Sequence, residues 1–184
     1  GSYIALEDLT RSFKHPSIID FKIGTAVAKE HHDEERTLRK IAKYPLQQQI
    51  GFRVSGARKY SKKNNCYEFY DGLRFKHVST EDDVRNVMTN DLFFNGTKFR
   101  GDALVAVIPI MKEILSVMKK NNLYRFVSSS LLVIYDTDGD NLRVDARMID
   151  FVHVYELNAG EQDESYVKGL TNLIEFFEDL INVK

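Results

Sequence analysis

Asp20 and Lys22 stand two residues apart in the alternating run Ile18-Ile19-Asp20-Phe21-Lys22-Ile23-Gly24. On a strand this spacing projects both charges from one face of a sheet, with Ile19, Phe21 and Ile23 on the other. Such a pair is either a solvent-facing ion pair at a sheet edge or part of a nucleotide site. In a nucleotide site the carboxylate engages ribose or another hydroxyl and the ammonium holds a phosphate. Asp150 lies between Ile149 and Phe151 in Arg147-Met148-Ile149-Asp150-Phe151-Val152. That setting predicts a partly desolvated carboxylate, which must meet a cation, donors or a metal because an unpaired buried charge is costly. A structural salt bridge would satisfy it. So would Mg²⁺ on nucleotide phosphates, since hard oxygen ligands suit that ion.

A third pattern is basic. Arg36, Arg39, Lys40 and Lys43 fall at i, i+3, i+4 and i+7, a single stripe if 33–43 is helical. Leu38, Ile41 and Ala42 are then expected opposite, packed on the core. The stripe reads as a solvated face, or as a grip for a polyphosphate that relieves the mutual repulsion of four cations. Other polar clusters carry less. Asp136-Thr137-Asp138-Gly139-Asp140 resembles a calcium loop, but its ligand spacing and missing terminal glutamate fit a hairpin turn at Asp138-Gly139 better. His31 and His32 are adjacent, so on a helix they face different directions and read as surface residues. Ser128-Ser129-Ser130 reads as strand entry. Cys66 lacks a His–Asn arrangement beside it and is not taken as a nucleophile.

The elements that position these residues follow from pattern and punctuation. A short apolar strand is expected at 3–6, the Asp20 strand at 18–24, and a helix over 33–43 stopped by Pro45 and its constraint on Tyr44. Residues 51–60 and 66–70 read as a hairpin around Lys62-Lys63-Asn64-Asn65. Thr80 should cap a helix whose first turn holds Glu81, Asp82 and Asp83. A longer helix is expected over 102–120, with Pro109 a candidate kink. A second hairpin joins 131–135 to 142–151, and a last helix spans 166–181. Helices combined with strands confined to hairpins make an α+β domain.

The 184 residues fit a single domain over 1–184, with Gly1-Ser2 read as a cloning scar. A formal net charge of -1 argues against nucleic acid as the main ligand while leaving room for a local basic stripe. No apolar run approaches a membrane span and no signal peptide leads the chain. One cysteine excludes an internal disulfide and favours a reducing compartment, the cytoplasm or nucleus.

Pro16, Asp20, Lys22 and Gly24 match the PxxxDxKxG signature of inositol polyphosphate kinases, Ser129-Ser130-Leu131-Leu132 their SSLL motif, and Ile149-Asp150-Phe151 their IDF motif. Lys43-Tyr44-Pro45-Leu46, Ile50-Gly51-Phe52 and Phe93-Phe94-Asn95-Gly96 also resemble that family, in the wording of its multikinases. The resemblance covers nearly the whole chain. It implies the C-terminal lobe of a kinase of protein-kinase-like, ATP-grasp-like fold, with antiparallel strands, packed helices and a substrate-binding helix. The chain would begin at the hinge, without the N-terminal lobe and its nucleotide-binding lysine.

The same resemblance implies roles. The segment containing Glu7 and Leu9 would receive adenine. Asp20 would hold the ribose or assist transfer. Lys22 would bridge the moving phosphoryl group and the inositol phosphate. Asp150 and Ser130 would hold Mg²⁺ on ATP. Arg36, Arg39, Lys40 and Lys43 would grip substrate phosphates, with Arg58 and His153 completing the pocket. Arg36 and Arg39 stand where multikinases carry lysine and glutamine, and arginine is a fixed bidentate donor rather than a point charge. The expected activity is ATP- and Mg²⁺-dependent phosphorylation of soluble inositol polyphosphates by a monomer. The rivals are a hexakisphosphate kinase that makes diphosphates and a non-catalytic inositol phosphate-binding module.

Overall fold

The computed structural model describes residues 3–25, 34–137 and 142–182. Its centre is an antiparallel five-stranded sheet in the order β3-β2-β1-β5-β6. These strands are β1 (Pro16–Ile23), β2 (Phe52–Ser61), β3 (Cys66–Tyr70), β5 (Ser130–Asp136) and β6 (Val144–Ile149). Alternation decides which face is buried. Ile19, Phe21 and Ile23 of β1 are almost fully enclosed, as are Phe52 of β2 and Leu131, Val133 and Tyr135 of β5. Between them and solvent lie α4 (Gly101–Lys120) and α5 (Glu164–Asn182). Tyr166, Leu170, Leu173 and Phe177 repeat every three or four residues along α5 and pack into this core.

Several boundaries are set by local chemistry. Thr80 caps α3 (Glu81–Val87) in a reciprocal box with Asp83. Pro109 lies on the exposed side of α4, where its missing N–H meets solvent, and the helix continues through it. The carboxylate of Asp136 accepts from the backbone N–H groups of Lys14 and His15 at 2.9 and 2.8 Å, fixing the entry to β1. Asp136 therefore serves the sheet. Asp138-Gly139 lie outside the described residues, as do His31 and His32. Arg100, buried beside this corner, donates to the carbonyls of Asp136 and Thr137 and pairs with Asp102 at 2.8 Å.

The structure departs from the sequence expectations in four places. Residues 3–6 form no strand. Tyr3, Ile4 and Leu6 are 85% exposed or more, because apolar residues make a strand only where a neighbour supplies ladder hydrogen bonds. Pro45 does end α1 (Glu34–Lys43), but it also opens α2 (Pro45–Ile50), where its fixed φ suits the first helical position. The apolar side of α1 does not pack on the core: Leu38 is 57% exposed, Ala42 is exposed and Ile41 is half-buried. Two apolar residues and an alanine give too narrow a stripe for burial, and α1 packs mainly beside α2. A two-stranded ribbon, β4 (Tyr124–Phe126) with β7 (Val154–Glu156), was not expected, since three residues show no readable period.

Helix α5 crosses the end of β1 at a backbone contact among three glycines. Gly24 and Gly51 have φ of 97° and 79°, in the left-handed region that glycine enters freely. A Cβ on Gly169 would lie 2.2 Å from the Gly51 carbonyl oxygen and 2.6 Å from the Gly24 nitrogen. Both neighbours are main chain and have no rotamer to yield. Gly169→Ala should therefore lower stability by about 3 kcal/mol or more, at or above the usual range for overpacking, in urea unfolding. An unchanged midpoint would mean that α5 sits farther from β1.

Candidate active site

The face of the sheet away from α4 and α5 carries the polar residues. Lys22 faces Ser130 across the β1–β5 ladder and Arg53 across the β1–β2 ladder. Ser130 faces Ile149, the last residue of β6, so Asp150 emerges at the same level. The Lys22 ammonium donates to Asp150 Oδ2 at 2.8 Å and Ser130 Oγ at 3.1 Å. Three strands thus end with functional groups aimed at one point.

Asp150 differs from its sequence expectation. Instead of lying desolvated between Ile149 and Phe151, it is 54% exposed at its side chain. The reason is local: β6 stops at Ile149 and Asp150 takes φ 66°, which turns its side chain out of the strand. Aspartate tolerates this conformation better than most non-glycine residues. The Ser129 hydroxyl donates to the Asp150 carbonyl at 3.1 Å and holds the turn.

Asp20 is half-buried and less exposed than Asp150. Its Oδ1 is enclosed without a hydrogen-bond partner. Burial pushes its carboxyl pKa up, against the opposing pull of the Ser130 hydroxyl and the Lys22 charge. Arg53 stands beside it, its guanidinium 4.1 Å from the centroid of the Tyr44 ring. This arginine was not among the sequence candidates. Its flanks Phe52 and Val54 mark it as facing away from the core, but its pairing with Lys22 depends on a register visible only in the fold.

Other expected residues divide by position. Arg39 is exposed on α1 and pairs with Glu35 at 3.5 Å, and Lys43 lies 5.4 Å from the Tyr44 ring. Lys43 and Arg53 therefore flank the same ring, while Arg39 lies farther back along α1. Arg36 and Lys40 belong to α1, but their side chains lie outside the described residues. His153 is half-buried in the turn between Asp150 and β7, where its carbonyl accepts from Val127 at 2.9 Å. Arg58 is not brought to Lys22. It faces Ile18, four residues back along β1 and so roughly 13 Å away, and stacks 4.5 Å over Tyr67. Arginine placement on a strand is set by register, and here it is Arg53 that lies opposite Lys22.

Glu7 and Leu9 line an open cleft of about 680 Å³ whose opposite wall includes Arg143, Asp145 and Arg147. Arg147 faces Leu132, which faces Asp20, so this cleft continues the polar face of the sheet. At the far end, Asp150 and Ser130 already direct two oxygens at one cation, the Lys22 ammonium, and Asp20 adds an unsatisfied oxygen nearby. Such a donor set fits Mg²⁺, which takes one or two carboxylates and completes its shell with water and phosphate. Among the described residues, no cluster of three or more His, Cys, Asp or Glu side chains forms a metal site by itself.

Comparison with known proteins bears on this geometry. A family model described as inositol polyphosphate kinase matches residues 3–178. Inositol hexakisphosphate kinase 3 of Mus musculus is 28% identical over 97% of this chain and 50% of its own length. The inositol polyphosphate multikinase of Homo sapiens is 32% identical over 73% of this chain and 32% of its own length. The chain thus spans about half the length, or less, of these curated relatives. A solved inositol phosphate multikinase superposes with a TM-score of 0.85 at 22% identity, over 98% of this chain and 86% of that one. The S. cerevisiae multikinase in complex with ADP and Mn²⁺ gives 0.74 at 19% identity, over 95% of this chain and 82% of that one. Among the described residues, no helix is long and apolar enough to cross a membrane.

The raised carboxyl of Asp20 has a stability consequence. A carboxylate whose folded pKa exceeds its unfolded value contributes stability below the unfolded pKa, about 4, and loses it as pH rises through the folded pKa. Asp20→Asn removes that loss. The variant should match the parent near pH 3 and exceed it in stability at pH 7. Urea unfolding at the two pH values reads this directly. A variant less stable than the parent at pH 7 would show that the cations beside Asp20 outweigh its burial.

Proposed function

Because this chain belongs to the inositol polyphosphate kinase family, we propose that it transfers the γ-phosphoryl group of ATP, with Mg²⁺, to a hydroxyl of a soluble inositol polyphosphate. The observation that carries this reading is the convergence of Asp150 and Ser130 on the Lys22 ammonium, opposite Arg53 on the neighbouring strand. A site with one fixed cation, oxygen donors for another and an arginine alongside is built to neutralise phosphate charge. Phosphoryl transfer needs little else, since its transition state is loose and depends on positioning and charge.

Each residue then has a task. Glu7 and Leu9 border the adenine end of the cleft. Asp150 and Ser130 hold Mg²⁺, which when bound offsets the charge of the ATP phosphates. Lys22 turns from Asp150 to the moving phosphoryl group. The unpartnered Oδ1 of Asp20 accepts a hydrogen bond from a hydroxyl, of the ribose or of the acceptor. Arg53 is fixed on Tyr44 as a rigid phosphate donor, and Arg36, Arg39, Lys40 and Lys43 supply further charge along α1. His153 follows Asp150 closely enough to border the acceptor, whereas Arg58 belongs to the nucleotide end. A second acceptor reading rests on the hexakisphosphate kinase relative, which aligns with 97% of this chain. Inositol hexakisphosphate has no free hydroxyl, so its product would be a diphosphate.

Turnover of labelled ATP with Mg²⁺ and a panel of inositol phosphates tests the reading, and chromatography of the products separates a new monoester from a diphosphate. Binding without transfer would leave a non-catalytic module. Asp150→Asn should lower kcat by about a hundredfold or more, as for loss of a key electrostatic group, with its unfolding midpoint kept because asparagine also accepts a left-handed φ. Wild-type turnover in that variant would remove Asp150 from the mechanism. Acceptor affinity should also fall as salt rises, since exposed charges are screened within about 10 Å at 0.1 M. A salt-independent dissociation constant would exclude the basic arm as the acceptor site.

A further inference from the structure

The strand that carries Asp20 and Lys22 leaves the sheet at Gly24 and Thr25, and every backbone polar group of these two residues is held. The Gly24 N–H donates to the Gly51 carbonyl at 2.7 Å. The Gly24 carbonyl accepts from Gln47 Nε2 at 2.9 Å. The Thr25 N–H donates to Ser165 Oγ at 2.9 Å, and the Thr25 carbonyl accepts from Gln48 Nε2 at 3.0 Å. Four separate partners are more than an ordinary loop requires, since water satisfies most exposed backbone groups.

The partners also close a ring in the chain. From Thr25 the backbone passes through α1 and returns in α2, whose adjacent glutamines reach back to the residues where the excursion began. Gln47 is 5% exposed, so its amide is committed to this contact. Ser165, at the start of α5, ties the same neck to the core, and Asn172 on α5 donates to the Ile50 carbonyl at 2.9 Å. The arm bearing Arg39 and Lys43 is thus a loop stitched at its base, and that base lies two residues beyond Lys22. Functional groups need support of this kind to stay in productive geometry.

We propose that Gln47 and Gln48 are positioning residues for the acceptor: by closing the neck they set where α1 stands relative to Lys22 and Arg53. This rests on the reading of α1 as the acceptor arm. Neither glutamine touches the Lys22–Ser130–Asp150 cluster, so the nucleotide end should be indifferent to both.

Gln47→Met and Gln48→Met keep side-chain length and remove the donor. Each should raise the KM for inositol polyphosphate about tenfold, within the range lost when reactants are misplaced by an ångström. KM for ATP and kcat at saturating acceptor should stay close to the parent values. A general loosening of the fold would instead move all three constants together, and that result overturns the proposal, as does an unchanged acceptor KM. If Gln47→Met fails to fold, Gln48→Met still decides, because Gln48 is only half-buried. Titration in the absence of ATP of a panel running from inositol trisphosphate to inositol hexakisphosphate separates the two readings. A parent that binds members of the panel but phosphorylates none of them when ATP and Mg²⁺ are added defeats the kinase assignment, yet the ratio of variant to parent dissociation constants still tests the neck. A parent that binds no member of the panel removes the acceptor arm, and the positioning role falls with it.

Discussion

Helix α5 can reach the end of β1 only because three residues there have no side chain. Gly169 rests on the main chain of Gly51 and Gly24, at distances where a Cβ on Gly169 or Gly51 would collide with backbone. That contact sets the depth of α5 over the sheet, and with it the packing of Tyr166, Leu170 and Phe177 against Phe21 and its neighbours. It also fixes the level at which β1 stops. Lys22 sits two residues before this stop, so its height on the sheet, and its match with Ser130 and Asp150, descend from a contact on the opposite side of the strand.

The polar face works by a different principle from the core. Its groups satisfy one another only in part. Asp20 keeps a buried oxygen without a donor, and Arg53 is held by an aromatic ring in addition to its carboxylate neighbour. Lys22 is paired, but with an aspartate that is half exposed and open to exchange. Such an arrangement is unfavourable for the fold alone, because buried polar groups normally find partners. On the proposed reading, phosphate and a divalent cation would supply the missing partners, so that function is gained at the expense of stability.

Most of the framework was legible in the sequence because strong local signals agree. The alternation around Asp20, the Thr80 cap and the apolar repeats of the two long helices each point to one answer. The failures share a cause. Residues 3–6 have strand composition but no partner strand, and α1 has an apolar side but nothing to cover it. In both, pattern states what a segment is able to do and tertiary contact decides whether it does. The site was half legible for the same reason. Asp20, Lys22 and Asp150 stand in recognisable runs. Arg53 and the two glutamines acquire meaning only from register and from a chain return of 23 residues.

The central ladder joins distant parts of the chain: Lys22 meets an aspartate 128 positions later. During synthesis the β2–β3 hairpin can form early because its pairing is local, and β1 can join it across α1 and α2 before β5 exists. The outer edge of β1 must then wait, exposed, until β5 has been made, and the core face stays open until α5 follows. Long-range closure of this kind is slow and leaves unpaired strand edges vulnerable to association. The Lys22–Ser130–Asp150 cluster therefore has no partial form on the ribosome: its three side chains meet only after the segment that runs from β1 through β6 has emerged.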